Sequence, residues 1–379
     1  VAGNANFIPD CNLQNPAANG ECGIANNPAF GTSILTTSWN PAAAQGWGVR
    51  EYNNQYSFSL QHELRPAFGV NVGYFHTDWQ NGQVAVNTAL KPTDVSLFCI
   101  TAPVDSRLGA VSGQPVCGLG STTTTESFAV KTVAPNTVWE TPAQAGIPGQ
   151  RTDAYNGVDM GMTLRFGNSG VLAGGVTVGR QVTNNCFLNN YPNVTGYVSA
   201  GASNAISNRD PNYCEVKTPW WDGVGSQIKF QAVYPFPHDI LVSGVFKNLP
   251  GIPILASITV PNAAAAASLG RNLTACAAPT GACTSVYNAT ATVIPNTVFD
   301  QRLNELDLRF TKRFRFGRSR LAGNVDLYNV FNSRVSQLNN TTWGVLATPT
   351  TAAIPAARYL DPSQFLGGRL LKFGMQYDF

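Results

Sequence analysis

The chain has 379 residues, of which only 12% are charged, and its net charge at neutral pH is +3. That charged fraction is about half the usual share, and no Lys/Arg run forms a basic patch, so nothing points to a nucleic-acid partner. No stretch of about 18 apolar residues exists, which excludes a transmembrane helix but not a β-barrel, whose strands need only about 9–11 residues.

The start, "VAGNANFIPD", has neither an initiator Met nor a charged-then-apolar signal segment, and reads as a fragment or processed chain. The first clear element is the segment "YSFSLQHELRPAFGVNVGYFHTDW". Tyr56, Phe58, Leu60 and Leu64 alternate with Ser57, Ser59, Gln61 and Glu63, the period of a strand. Arg65-Pro66-Ala67 supplies a turn, and Val70, Val72 and Tyr74 resume the apolar face. A second hairpin follows in "YNGVDMGMTLRFGNSGVLAGGVTVG". There Val158, Met160, Met162, Leu164 and Phe166 oppose Asp159, Gly161, Thr163 and Arg165, and Gly167 to Gly170 is a strong turn signal.

The third, "GSQIKFQAVYPFPHDILVSGVF", alternates Ile228, Phe230, Ala232 and Tyr234 with Gln227, Lys229 and Gln231. Pro235 and Pro237 are expected to end its first strand, because proline cannot donate to the ladder. A fourth hairpin runs through "RLNELDLRFTKRFRFGRSRLAGNVDLYNVFN". Its Leu306, Leu308, Phe310 and Phe314 oppose Glu305, Asp307, Arg309, Thr311 and Arg313. Leu321, Val325, Leu327 and Phe331 then oppose Asn324, Asp326 and Tyr328. The chain ends on a ninth strand, "RLLKFGMQYDF", with Leu371, Phe373, Met375, Tyr377 and Phe379 alternating against Lys372, Gly374, Gln376 and Asp378.

Between hairpins lie long polar connections at roughly 80–153, 183–225, 250–302 and 333–365, with weaker strand candidates in "ESFAVKTV" and "ILASITV". A soluble sandwich shares the alternation, but loops of this length are uncommon in compact domains. Tight turns on one side and long loops on the other match an antiparallel transmembrane barrel. Aromatics near strand ends (Tyr56, Trp79, Tyr234, Phe236, Phe314, Phe331, Tyr377 and Phe379) fit interfacial girdles. The polar faces carry Glu63, Asp159, Arg165, Lys229, Glu305, Asp307, Arg309, Asp326 and Lys372, the expected lumen- and ligand-facing set.

The cysteines fall as sequence neighbours: Cys11 and Cys22, Cys99 and Cys117, Cys186 and Cys214, Cys276 and Cys283. Eight cysteines allow 105 connectivities; local pairing, each bond closing one loop, is the simplest, and it implies an oxidising compartment. No C-x-x-C, P-loop or G-x-S-x-G is present. His62, His76 and His238 are scattered without metal-ligand spacing. Glu305 and Asp307 share a strand face and could form an acid/base pair, but with Arg309 and Arg313 beside them they read as a charge ladder. Neither an enzyme, a metal nor a cofactor is therefore expected.

The ending "RLLKFGMQYDF" resembles the terminal strand read by the outer-membrane barrel assembly machinery, with Leu371, Phe373, Tyr377 and Phe379 as the signal. Asp326, Tyr328, Asn329, Phe331 and Asn332 match the D-x-Y-N-x-F-N run of late strands in TonB-dependent receptors. "NPAANGECG", "QHELRP", "CITAPVDSRL", "YNGVDM", "SLGRNL" and "RLNELDLRFTKRF" are similar to the Oar-like group, which carries an N-terminal carboxypeptidase-regulatory-like domain. The resemblance implies that residues 1–379 are the C-terminal portion of a barrel of about 22 strands, with plug and N-terminal domains absent. It implies an outer-membrane receptor for uptake of an unidentified ligand, with the bilayer, its own plug, the TonB complex and the assembly machinery as partners. A surface adhesion protein or passive pore is the alternative.

Overall fold

The computed structural model describes residues 10–12, 15, 17–23, 37–88, 90–122, 137–167, 169–199, 202–205, 209–223, 225–276, 278–290 and 292–379. Its architecture is predominantly β. Nine long strands dominate: β1 (Tyr52–Arg65), β2 (Phe68–Gln80), β3 (Thr152–Phe166), β4 (Gly170–Asn184), β5 (Gln227–Phe236), β6 (Ile240–Leu249), β7 (Leu303–Phe316), β8 (Ser319–Tyr328) and β9 (Leu370–Asp378). Each pairs antiparallel with its neighbours in sequence, giving one meander in the order β1 to β9. The short strand Glu215–Lys217 adds to the far end of β4. β1 and β9 each have a single partner, so the described strands form an open sheet, not a closed barrel.

The hairpins close where the sequence supplies left-handed backbone. Ala67 (φ 75°), Gly167 (φ 54°) with Ser169 (φ 73°), His238 with Asp239 (φ 65° and 56°), and Gly317 (φ 60°) occupy the four turns. Pro235 does not end β5 as expected; it stands in the ladder opposite Leu241. Strand β4 has already left β5 at Val233↔Val171, so the donor that proline lacks has no partner strand to miss on that side.

All four tight turns lie at one end of the sheet, and the connections 81–151, 185–226, 250–302 and 329–369 emerge at the other. Those connections fold on each other. The strands Val95–Thr101 and Pro115–Thr122 make a hairpin, and Ser257–Pro261 pairs with Val286–Ala289 and Thr342–Val345. The candidate in "ILASITV" is thus a strand, whereas "ESFAVKTV" lies outside the described residues.

The buried core belongs to these connections. Its larger cluster gathers Phe98, Ile100, Leu108, Ile258, Val260, Trp343 and Tyr359 from three different connections, and a smaller one holds Val84, Ile147, Leu188 and Val194. Neither cluster contains a residue of β1 to β9. All eight cysteines pair locally, Cys11–Cys22, Cys99–Cys117, Cys186–Cys214 and Cys276–Cys283, each outside the nine strands.

Candidate functional site on the polar face of the sheet

Because neighbouring strands place paired residues on the same side, the register sorts the whole sheet into two faces. One face runs through Phe58, Val72, Met160, Val176, Ile228, Phe246, Leu306, Leu327 and Leu371. It is uncovered. Tyr56, Phe58, Tyr74, Phe310, Phe314, Phe316, Phe373 and Tyr377 are between 43% and 72% exposed. At about 200 Å² per aromatic side chain these eight alone expose on the order of 900 Å², beyond the largest apolar patch of a typical soluble monomer.

This apolar face has two boundaries. At the loop end it gives way to Asn54, His76, Asn156 and Arg180 on β1 to β4 and to Asn248 and Asn304 on β6 and β7. At the turn end it carries aromatic pairs: Phe166 on Tyr234 (5.6 Å), Tyr234 on Phe236 (4.7 Å), Phe314 on Phe316 (6.5 Å) and Tyr377 on Phe379 (6.3 Å). The one lysine here, Lys312, reaches to the turn and donates to the His238 carbonyl. Trp79 does not join this belt: it pairs with Asp153 and stands on the polar face, one residue out of phase with Asp78. Leu371, Phe373, Tyr377 and Phe379 all belong to the apolar face of β9, with Phe379 beyond the last ladder pair.

The opposite face carries all nine charged residues singled out from the sequence. Glu305, Asp307, Arg309, Asp326 and Lys372 come together on β7, β8 and β9. Arg309 grips Asp326 with two bonds, Nε to Oδ1 at 2.5 Å and Nη2 to Oδ2 at 2.9 Å. Tyr328 also donates to Asp326, and Lys372 is its register partner on β9. The pattern did not single out Lys247 on β6, yet its Nζ bridges Glu305 (3.3 Å) and Asp307 (3.7 Å). The Asn329 amide, held where the chain turns at φ 50°, donates to Asp307 (2.9 Å). A lysine between the two carboxylates makes them a charge ladder rather than a proton-transfer pair.

The other four stand apart from that ladder. Asp159 and Lys229 border one groove with Asn71, Thr177 and Gln227; Glu63 and Arg165 border a second near the turns with Gln61, Asn71 and Thr163. Glu63 also accepts from the Ala67 amide in its own turn (3.1 Å). Between these grooves and the loop end the face is flattened by glycine. The Tyr155 ring lies over Gly157 and Gly179, where an added Cβ would come within 2.5 Å and 2.0 Å of its hydroxyl. Beyond it, Asp153 accepts from Gln181 (2.8 Å) and Thr183 (3.2 Å) and pairs with Arg151.

The connections contribute a second set of charges, fixed rather than free. Asp105 binds Arg107 (2.6 Å) and accepts from the Trp343 indole (2.9 Å), while Arg107 lies over the Tyr359 ring (5.2 Å). Arg107, with help from Trp343 against the opposing effect of burial, holds the Asp105 carboxyl well below the usual carboxylate range. Burial pushes the Tyr359 hydroxyl up to about 12. Arg209 donates to the Leu188 and Val194 carbonyls, and burial brings it down to about 10. Among the described residues no group of three or more His, Cys, Asp or Glu is placed to hold a metal ion. No protein-family model matches the chain, and no curated protein matches it.

Proposed function

We propose that the chain is part of the wall of an outer-membrane β-barrel receptor of the TonB-dependent kind, which takes up a ligand across that membrane. The observation that carries the reading is the uncovered apolar face, bounded by a polar row at one end and aromatics at the other, whose few charges, Asp78, Arg180 and Lys312, lie toward its ends while the charge ladder stands on the opposite side. From Leu306 to Phe316 that face covers ten residue steps, roughly 33 Å along the strand. At a tilt of about 40° this spans roughly 25 Å, the height of an outer-membrane apolar band. The charge ladder and grooves would then line the lumen, contacting a plug or the passing solute, and the folded connections would face outside. The free edges of β1 and β9 require further strands for closure, since an open edge is not tolerated in hydrocarbon.

The disulfide-closed connections, with cores of their own, also favour a second reading, a barrel-anchored adhesion surface. Two measurements on the intact gene product decide. Fractionation with protease shaving should place it in the outer membrane, with the connections cut from outside and the turns protected. Loss of TonB should abolish its growth advantage on the limiting nutrient. A soluble, fully cleavable protein refutes the barrel; a TonB-independent phenotype of cell attachment favours adhesion.

A further inference from the structure

Resting on that membrane reading, we infer that the loop-end rim of the apolar face holds a lipid phosphomonoester headgroup, bound at Arg180 against Trp220.

Arg180 follows Val178 on the same face of β4, with Val182 beyond it toward the end of the strand. Its guanidinium lies over the Trp220 ring, 5.9 Å from the centroid. Its Nε is buried and has no hydrogen-bond partner, and no carboxylate among the described residues pairs with it. The neighbouring polar and charged groups Lys217, Asn156 and Asp78 are already engaged. Lys217, on the short strand beside β4, pairs with Glu215 (2.8 Å). Asn156, opposite Arg180, accepts from Tyr74 (2.7 Å) and contacts His76 (2.9 Å). Asp78 is held by Asn54 (3.2 Å) and Gln80 (2.7 Å).

Arg302 makes the corner rigid. It donates to the Trp221 carbonyl (2.6 Å), to Ser226 Oγ (2.8 Å) and to Asn248 Oδ1 (2.9 Å), and lies 4.5 Å from the Trp221 ring centroid with Asp222 3.8 Å away. The Trp220–Trp221 corner is therefore fixed by a residue that has little left to offer a ligand, and Arg180 is the surplus cation. An arginine stacked on an indole presents its planar fork to a phosphate, a geometry lysine lacks. The position selects a lipid over a soluble anion: acyl chains would lie on Val176 and Val178 while the phosphate meets Arg180 one step above.

The test floats the full chain in a density gradient with phosphatidylcholine vesicles, with or without phosphatidic acid, and measures the lipid that co-purifies with it. Phosphatidic acid should be enriched over phosphatidylcholine. Arg180→Gln should cut that enrichment about tenfold, the equivalent of one hydrogen bond to a charged group. Arg318→Gln, which removes the same charge from a tight turn at the opposite end, should leave it unchanged. An equal loss in both variants would reduce the effect to net charge and overturn the site. Competition by free inorganic phosphate to the same extent would assign Arg180 to soluble anions and overturn the lipid. A chain that floats equally with both vesicles, without enrichment, refutes the headgroup site alone. A chain that floats with neither refutes the membrane reading.

Discussion

Ala232 offers a direct test of which solvent the apolar face meets. It occupies the centre of the row Ile228, Phe230, Ala232, Tyr234 and Phe236 on β5, flanked by Leu172 on β4 and Gly244 on β6. Being alanine, it can be changed to Arg without removing a packed ring. Four residue steps separate it from each end of the row, roughly 13 Å along the strand. At barrel tilt that is roughly 10 Å of depth, where an arginine should cost about 2–4 kcal/mol. Gln231, the next residue, stands exposed on the polar face opposite Val245 and makes the matched control. There the same arginine should cost within about 0.5 kcal/mol, as at an ordinary surface position. Lys312, which already escapes to the turn, should tolerate Arg equally well. The assay is reversible urea unfolding in phosphatidylcholine vesicles, following tryptophan emission. Equal costs for Ala232→Arg and Gln231→Arg would refute the reasoning, because a water-facing sheet has no cause to distinguish them.

Three further outcomes follow from the geometry. Gly179→Ala should destabilise the sheet because its methyl meets the Tyr155 hydroxyl, and Tyr155→Ala should relieve most of that loss in the double variant; additive losses by thermal melting would contradict the contact. Removing the Cys186–Cys214 bond, which joins residues 28 apart, should weaken the folded connections more than removing Cys276–Cys283, 7 apart, by about 1 kcal/mol from chain entropy. Protease resistance of the connections should rank the variants in that order, and the reverse order would count against it. Asp105 has a folded pKa below its unfolded value, so its contribution is complete above about pH 4 and is lost as the pH falls further. Asp105→Asn should flatten the stability profile of the connections below about pH 4, and an unchanged profile would show that the Arg107 and Trp343 contacts do not matter there.

The sequence by itself determined the strands and their sides. Each nine-to-fifteen-residue alternation assigns a face locally, since the backbone turns by half a circle per residue whatever the neighbours are. Glu63, Asp159 and Lys372 therefore fall on one side with Arg309 from the alternation of their own strands alone. Trp79 was misplaced because distance to a strand end does not say which side a residue is on; its phase with Asp153 does. The sequential cysteine pairs were legible for a similar reason, each partner being the nearest in the chain.

Tertiary structure decided what meets what. Register, set by the turns, brought Lys247 between Glu305 and Asp307 and set Asp326 against Arg309, pairings that no spacing within one strand encodes. The core of the connections was equally hidden. Phe98, Ile258 and Trp343 come from segments far apart in sequence, with no periodic pattern to announce them. Burial there depends on long-range contacts between connections that the sheet gathers at one end. The Arg180–Trp220 corner belongs to the same class: an arginine on a strand and a tryptophan forty residues later acquire meaning from the fold alone.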